Sequence, residues 1–132
     1  MKKILSTFLL STLFLTGCLG VEAPIVQESF NLDTLTADSQ IASPVAISGQ
    51  AQGTMYFEGS FPVSIEDANG NVLGNDAAKS QSDWMTEKMV PFKASVTFKN
   101  SSTKTGFIVL KNDNPSGLAE NERLVKFPIS FK

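Results

Sequence analysis

From residue 41 onward, apolar and polar residues alternate in several runs. Phe61, Val63 and Ile65 are spaced by two. So are Phe92, Ala94, Val96 and Phe98, and again Val125, Phe127, Ile129 and Phe131. A period of two puts each set on one face of a strand. Thr105 to Leu110 is a denser apolar run, the pattern of a strand covered on both faces. Shorter strands are expected at Val45–Ser48, around Met55–Phe57 and at Asn71–Gly74. Turn chemistry separates these runs. Asp67 to Asn71 places Asn69-Gly70 between two of them, and both residues tolerate positive φ. Asn112 to Gly117 and Asn100 to Lys104 are further turn clusters. Pro62, Pro91 and Pro128 lack an N–H and fit sheet edges or bulges. No long stretch has a helical period. Short strands with frequent turns predict an all-β, antiparallel β-sandwich over residues 41–132.

The amino-terminal residues follow a different pattern. Met1-Lys2-Lys3 is positive, Ile4 to Leu15 is apolar apart from Ser and Thr, and Leu15-Thr16-Gly17-Cys18 follows. This order is that of an export signal, and the apolar stretch is shorter than the roughly 20 residues of a membrane-spanning helix. The closing tetrapeptide resembles the lipobox of bacterial lipoproteins. The resemblance implies that Leu15, Thr16 and Gly17 are recognised, that residues 1–17 are removed, and that the Cys18 thiol carries a diacylglycerol. A thiolate is the nucleophile such a transfer needs, and several acyl chains on one residue anchor stably where one is marginal. In that family an Asp after the cysteine favours the inner membrane. Leu19 stands there in this chain, which implies the outer membrane in a host with two, and always the extracytoplasmic side.

Residues 18–40 read as the lipidated cysteine and a tether. The tether holds Glu22, Glu28, Asp33 and Asp38 and no basic residue. It also holds Phe30, Leu32 and Leu35, an apolar content above that of a solvated linker. Two readings stand: a flexible tether, or a segment partly docked on the domain.

Charge and residue usage narrow the function. With Lys2 and Lys3 set aside, 9 basic residues face 13 acidic ones, and residues 41–132 carry nine of each. This balance provides no basic surface for nucleic acid. The chain has one cysteine and no histidine, so it has no internal disulfide, no Ser-His-Asp triad and no zinc site of the usual ligands. No catalytic residue, metal site or cofactor is expected, and the chain is not read as an enzyme. Asp67, Asn69 and Asn71 alternate like the start of a calcium loop, and Asp113, Glu120 and Glu122 cluster late in the chain, but hairpin and loop roles explain both sets. Phe57 is read as core and Glu58 as a buried, paired carboxylate. Trp84, in the polar run from Gln81, and Tyr56 are the candidate binding residues, suited to a protein anchor or a sugar platform.

Ser43-Pro44-Val45-Ala46-Ile47-Ser48-Gly49-Gln50-Ala51 resembles the opening of the immunoglobulin-like domain of bacterial spore germination. Phe57 to Phe61 resembles that family's aromatic-Glu-x-x-Phe element, Asp67 to Gly70 its turn, and Trp84 with Phe92 to Phe98 its central segment. Lys111 to Gly117 and Val125 to Phe131 resemble its late turn and closing strand. The resemblance implies an immunoglobulin-like sandwich without catalytic residues. Together these readings describe an envelope lipoprotein, held to the membrane through Cys18, whose domain binds an envelope protein. The alternatives are a module for carbohydrate or cell-wall glycan and a structural surface lipoprotein.

Overall fold

The computed structural model describes residues 29–36 and 38–132. Eight strands form it: β1 (Phe30–Leu32), β2 (Ser39–Ile41), β3 (Val45–Gln52), β4 (Ser60–Asp67), β5 (Val72–Ser80), β6 (Met89–Val96), β7 (Thr105–Lys111) and β8 (Leu124–Phe131). Their order is β1-β3-β6-β5-β4-β7-β8-β2 in one continuous sheet. Every pairing is antiparallel except that of β2 with β8.

The sheet folds over at β5. This strand runs along β4 from Lys79 to Val72 but meets β6 only at Lys79↔Lys93 and Ser80↔Phe92. The sheet therefore opens into two layers, β1-β3-β6 and β5-β4-β7-β8-β2, joined at one corner. The core lies between them, as in an immunoglobulin-like sandwich. Phe61 of β4 is its centre, with edge-on ring contacts to Phe30, Tyr56 and Phe92 at centroid distances of 5.3, 5.0 and 5.0 Å. Such geometry matches the positive edge of one ring to the negative face of the next.

The alternating runs fold as their period requires. Phe61, Val63 and Ile65 of β4 are buried, as are Val90, Phe92 and Val96 of β6 and Val125 and Ile129 of β8. In β7, Ile108 and Leu110 face the core, and Val109 on the other face is also covered. Other expectations change. The strand expected at Met55–Phe57 is a 3-10 turn, Gly53–Met55, that buries Met55. β5 runs on to Ser80 through Asn75, Asp76, Ala77 and Ala78, residues of low strand propensity held by their pairing to β4. Phe98 lies past the end of β6, with its ring 5.8 Å from that of Phe131.

The three prolines lie inside internal strands, not at edges. Each stands one residue outside a ladder. Pairing of β4 to β7 begins at Val63, that of β6 to β5 at Phe92, and that of β8 to β2 at Ile129. Pro62, Pro91 and Pro128 immediately precede these positions, where a missing N–H costs no strand bond.

The folded unit also starts before Ile41. Phe30, inside the stretch read as tether, is buried, and β1 pairs with Gly49 to Ala51. Of the two readings of residues 18–40, the docked one holds for Phe30, Leu32 and Leu35, since all three pack on the core.

Asp67 closes β4. Its Oδ1 accepts the N–H groups of Asn69 and Asn71, both at 2.9 Å, and its Oδ2 accepts the Asn71 side-chain amide at 3.0 Å. The carboxylate is thereby turned onto its own hairpin, which accounts for the calcium-like alternation. The Asn71 side chain, then the turn's backbone N–H groups, hold the carboxyl below the usual range. The resulting stability is whole above the ordinary aspartate value near ~3.9 and is lost as pH falls through the lowered folded value. Asp67→Asn is expected to be less stable than the parent at pH 7 and to lose less stability between pH 5 and pH 2, as measured by urea unfolding at each pH.

Candidate functional site

Three loops meet at one end of the sandwich: residues 53–59 between β3 and β4, 81–88 between β5 and β6, and 112–123 between β7 and β8. Backbone bonds tie them together. Gly53 donates its N–H to the Lys88 carbonyl at 3.0 Å, and Asp113 donates to the Met55 carbonyl at 3.0 Å. Asn112 holds the third loop closed, donating its amide to the Asn121 carbonyl at 2.9 Å and accepting the Arg123 N–H at 2.7 Å.

The first loop ends in a two-residue hairpin turn. Phe57 and Ser60 exchange N–H···O bonds of 2.9 and 3.2 Å around Glu58 and Gly59, whose φ angles are +51° and +78°. Positive φ at both central positions is the type I′ arrangement. Glu58 is therefore exposed at the tip, not buried and paired, and Phe57 is 44% exposed, not core. A left-handed conformation costs a residue with a Cβ about 1–2 kcal/mol. Glu58→Asn keeps the turn with a residue that tolerates it, and is expected to stabilise the fold by about 1 kcal/mol in thermal or urea unfolding.

Trp84 is half-buried. It packs on the core, with its indole Nε1 edge beside Gly59. Met85, next to it, is 76% exposed. Between them, Gly53, Thr54 and Thr86 line a shallow recess of about 370 Å³. Tyr56, the other candidate binding residue, is mainly a core residue. Its hydroxyl donates to the Val90 carbonyl at 2.8 Å, and burial raises its pKa, so it is a neutral donor. Only part of it reaches the recess. Sequence reasoning did not single out Met85. The signal was its place beside Trp84 in a run too polar to form a strand.

A second surface lies along β3. β1 covers only Gly49 to Ala51, so the opposite half of β3, Val45 to Ile47, pairs with β6 on one side and with no described strand on the other. The direction of its backbone groups follows from its neighbours. The Ser48 carbonyl accepts the Asp33 N–H, and the Gln50 N–H reaches Asn31, so even-numbered residues point toward the β1 side. Ala46, two residues before Ser48, aims its N–H and C=O at that open side. Its side chain is exposed beside a recess of about 270 Å³ also lined by Thr34 and Lys93.

Among the described residues, no three His, Cys, Asp or Glu side chains gather where a metal ion would bind, and Asp113, Glu120 and Glu122 form no such group. Leu15, Thr16, Gly17 and Cys18 lie outside the described residues.

Comparison with known proteins gives one family. No curated protein and no solved structure matches the chain. A family profile described as the immunoglobulin-like domain of bacterial spore germination matches residues 35–119. The matched stretch covers β2 to β7 and the Trp84 loop and stops before β8, so Val125 to Phe131 is not part of the match. With this match over most of the chain and an all-β, two-layered fold, the protein belongs to the family of immunoglobulin-like domains of bacterial spore germination.

Proposed function

We propose that this protein is a membrane-anchored, non-catalytic envelope module that binds another envelope protein by accepting one of its strands along the open half of β3. The observation that carries this reading is the side of Val45 to Ile47 that no described strand pairs, with the Ala46 donor and acceptor directed outward. Strand addition uses such an edge, the main-chain bonds supplying affinity and the alternate side chains specificity. A short edge strand such as β1 is one way proteins limit unwanted pairing, and here it leaves Val45 to Ile47 uncovered by any described strand. Anchoring rests on the lipobox-like Leu15-Thr16-Gly17-Cys18.

The test places a photocrosslinking residue at Ala46 in the cell. One recurring captured protein is expected. Ala46→Pro should abolish binding of that protein while leaving the fold intact, because the lost N–H lies on the side away from β6 and the preceding Val45 is already extended. Cys18→Ser should release the protein from the membrane fraction. Capture of glycan, or of nothing, would count against the protein-binding reading. Continued membrane association of the serine variant would count against lipid anchoring.

A further inference from the structure

We infer that the end of the sandwich carrying Phe57, Met85 and Leu118 rests on the lipid bilayer itself. The inference depends on lipidation of Cys18, as proposed above, and adds an orientation and a second membrane contact.

The path of the chain carries it. Ser29 donates its hydroxyl to the Gln52 side chain at 3.1 Å, and Gln52 is the last residue of β3, immediately before Gly53. The described chain therefore begins, at Ser29, at the end where the three loops meet. Only residues 19–28 separate the cysteine from Ser29. Ten residues reach at most ~35 Å when fully extended, and as a coil span roughly 17 Å. An acylated Cys18 would keep this end close to the membrane at high effective concentration, so even a weak lipid contact would be populated.

The chemistry of this end fits that position. Among the described residues, four large apolar side chains are strongly exposed: Phe57, Val72, Met85 and Leu118. Three of them belong to the three loops of the tethered end, with Met85 76% and Leu118 51% exposed. Val72 lies at the opposite end, just after the Asp67 hairpin. Trp84, apolar in body with a polar N–H, sits behind them, the placement aromatic residues take at a membrane–water boundary. The three loops carry Glu58, Asp83, Glu87, Asp113, Glu120 and Glu122 against the bases Lys88 and Arg123. Excess acid opposes anionic lipid, so the surface suits zwitterionic headgroups. In this orientation the open half of β3, Val45 to Ile47, lies at the end of the strand away from the bilayer and stays accessible to a protein.

Trp84 is the sole tryptophan, so it serves as the reporter. The experiment uses the full-length protein extracted from membranes and reconstituted into phosphatidylcholine vesicles with or without brominated acyl chains. The state of Cys18 is read by mass spectrometry, and vesicle association by flotation. The expected result is loss of Trp84 emission in brominated vesicles. The double substitution Phe57→Asp and Met85→Asp should restore it, with acylation and flotation unchanged. Acylated, floating protein with equal emission in both vesicles would overturn the inference and leave the anchor standing. Unmodified Cys18 without flotation would overturn both. Protection of Trp84 from acrylamide in native membranes but not in lipid vesicles would assign this end to a protein and overturn the lipid contact.

Discussion

Phe30→Ala is expected to lower the unfolding free energy by about 3–5 kcal/mol, the usual cost of emptying a buried phenylalanine site. The residue lies in a stretch whose acidic content and lack of a clear period suggest a linker, yet it is 1% exposed and packs edge-on against Phe61. The loss combines lost burial with a cavity beside the most connected ring of the core. It also loosens β1, where Phe30 is the one fully buried side chain and the rest of the hold is the pairing to β3 and the partly buried Leu32. β1 crosses β3 closely, and a Cβ at Gly49 would lie 2.0 Å from the Asn31 carbonyl oxygen, so glycine is required at the crossing. A domain of this size has about 5–15 kcal/mol of stability in all. The variant should therefore show a large drop in urea midpoint with little change in slope. A residue in a mere linker would shift stability by less than about 0.5 kcal/mol. The same measurement thus distinguishes a domain beginning at Ser29 from one beginning at Ile41, a distinction on which the proposed membrane orientation depends.

The contrast between Phe30 and Phe61 shows what the sequence made legible. Phe61 belongs to an eight-residue strand, long enough for Val63 and Ile65 to repeat its pattern. β1 and β2 have three residues each, too few to display a period, and both are held by pairing to distant strands. The Asp67 turn was legible because Asn and Gly are both turn residues, although only Gly70 takes positive φ, at +82°, and Asn69 does not. The Glu58-Gly59 turn was not, since glutamate rarely takes the first position, and Phe57 was accordingly assigned to the core. β5 was read too short because its latter half depends on β4 and not on its own propensities. The prolines mark the ends of ladders, a feature of pairing between strands that the run of residues along one strand does not contain. At the site, the isolation of Trp84 in a polar run indicated a surface loop. The burial of Tyr56 depends on Phe61 and Val90, which only the fold brings beside it.

Gly53→Ala should have the second largest effect, a destabilisation of about 2–3 kcal/mol, because the loop facing it approaches through backbone and not through a side chain that could turn away. A Cβ at this position would lie 1.8 Å from the Thr86 carbonyl oxygen and 2.3 Å from that of Trp84. Neither distance is tolerable, so the 81–88 loop must move outward. Its movement would strain the Gly53–Lys88 hydrogen bond, and Trp84 would be drawn from its place beside Gly59. Urea unfolding followed by far-ultraviolet dichroism measures the first effect. Tryptophan emission of the folded variant measures the second, and should shift to the red as the half-buried indole gains water. The pairing of the two readouts matters, since a cavity variant such as Phe30→Ala should lose comparable or greater stability with little change in native Trp84 emission. If the alanine variant keeps the parent's emission maximum, the close approach of the two loops is wrong. With it would go the joined, apolar end of the sandwich from which contact with the bilayer was argued.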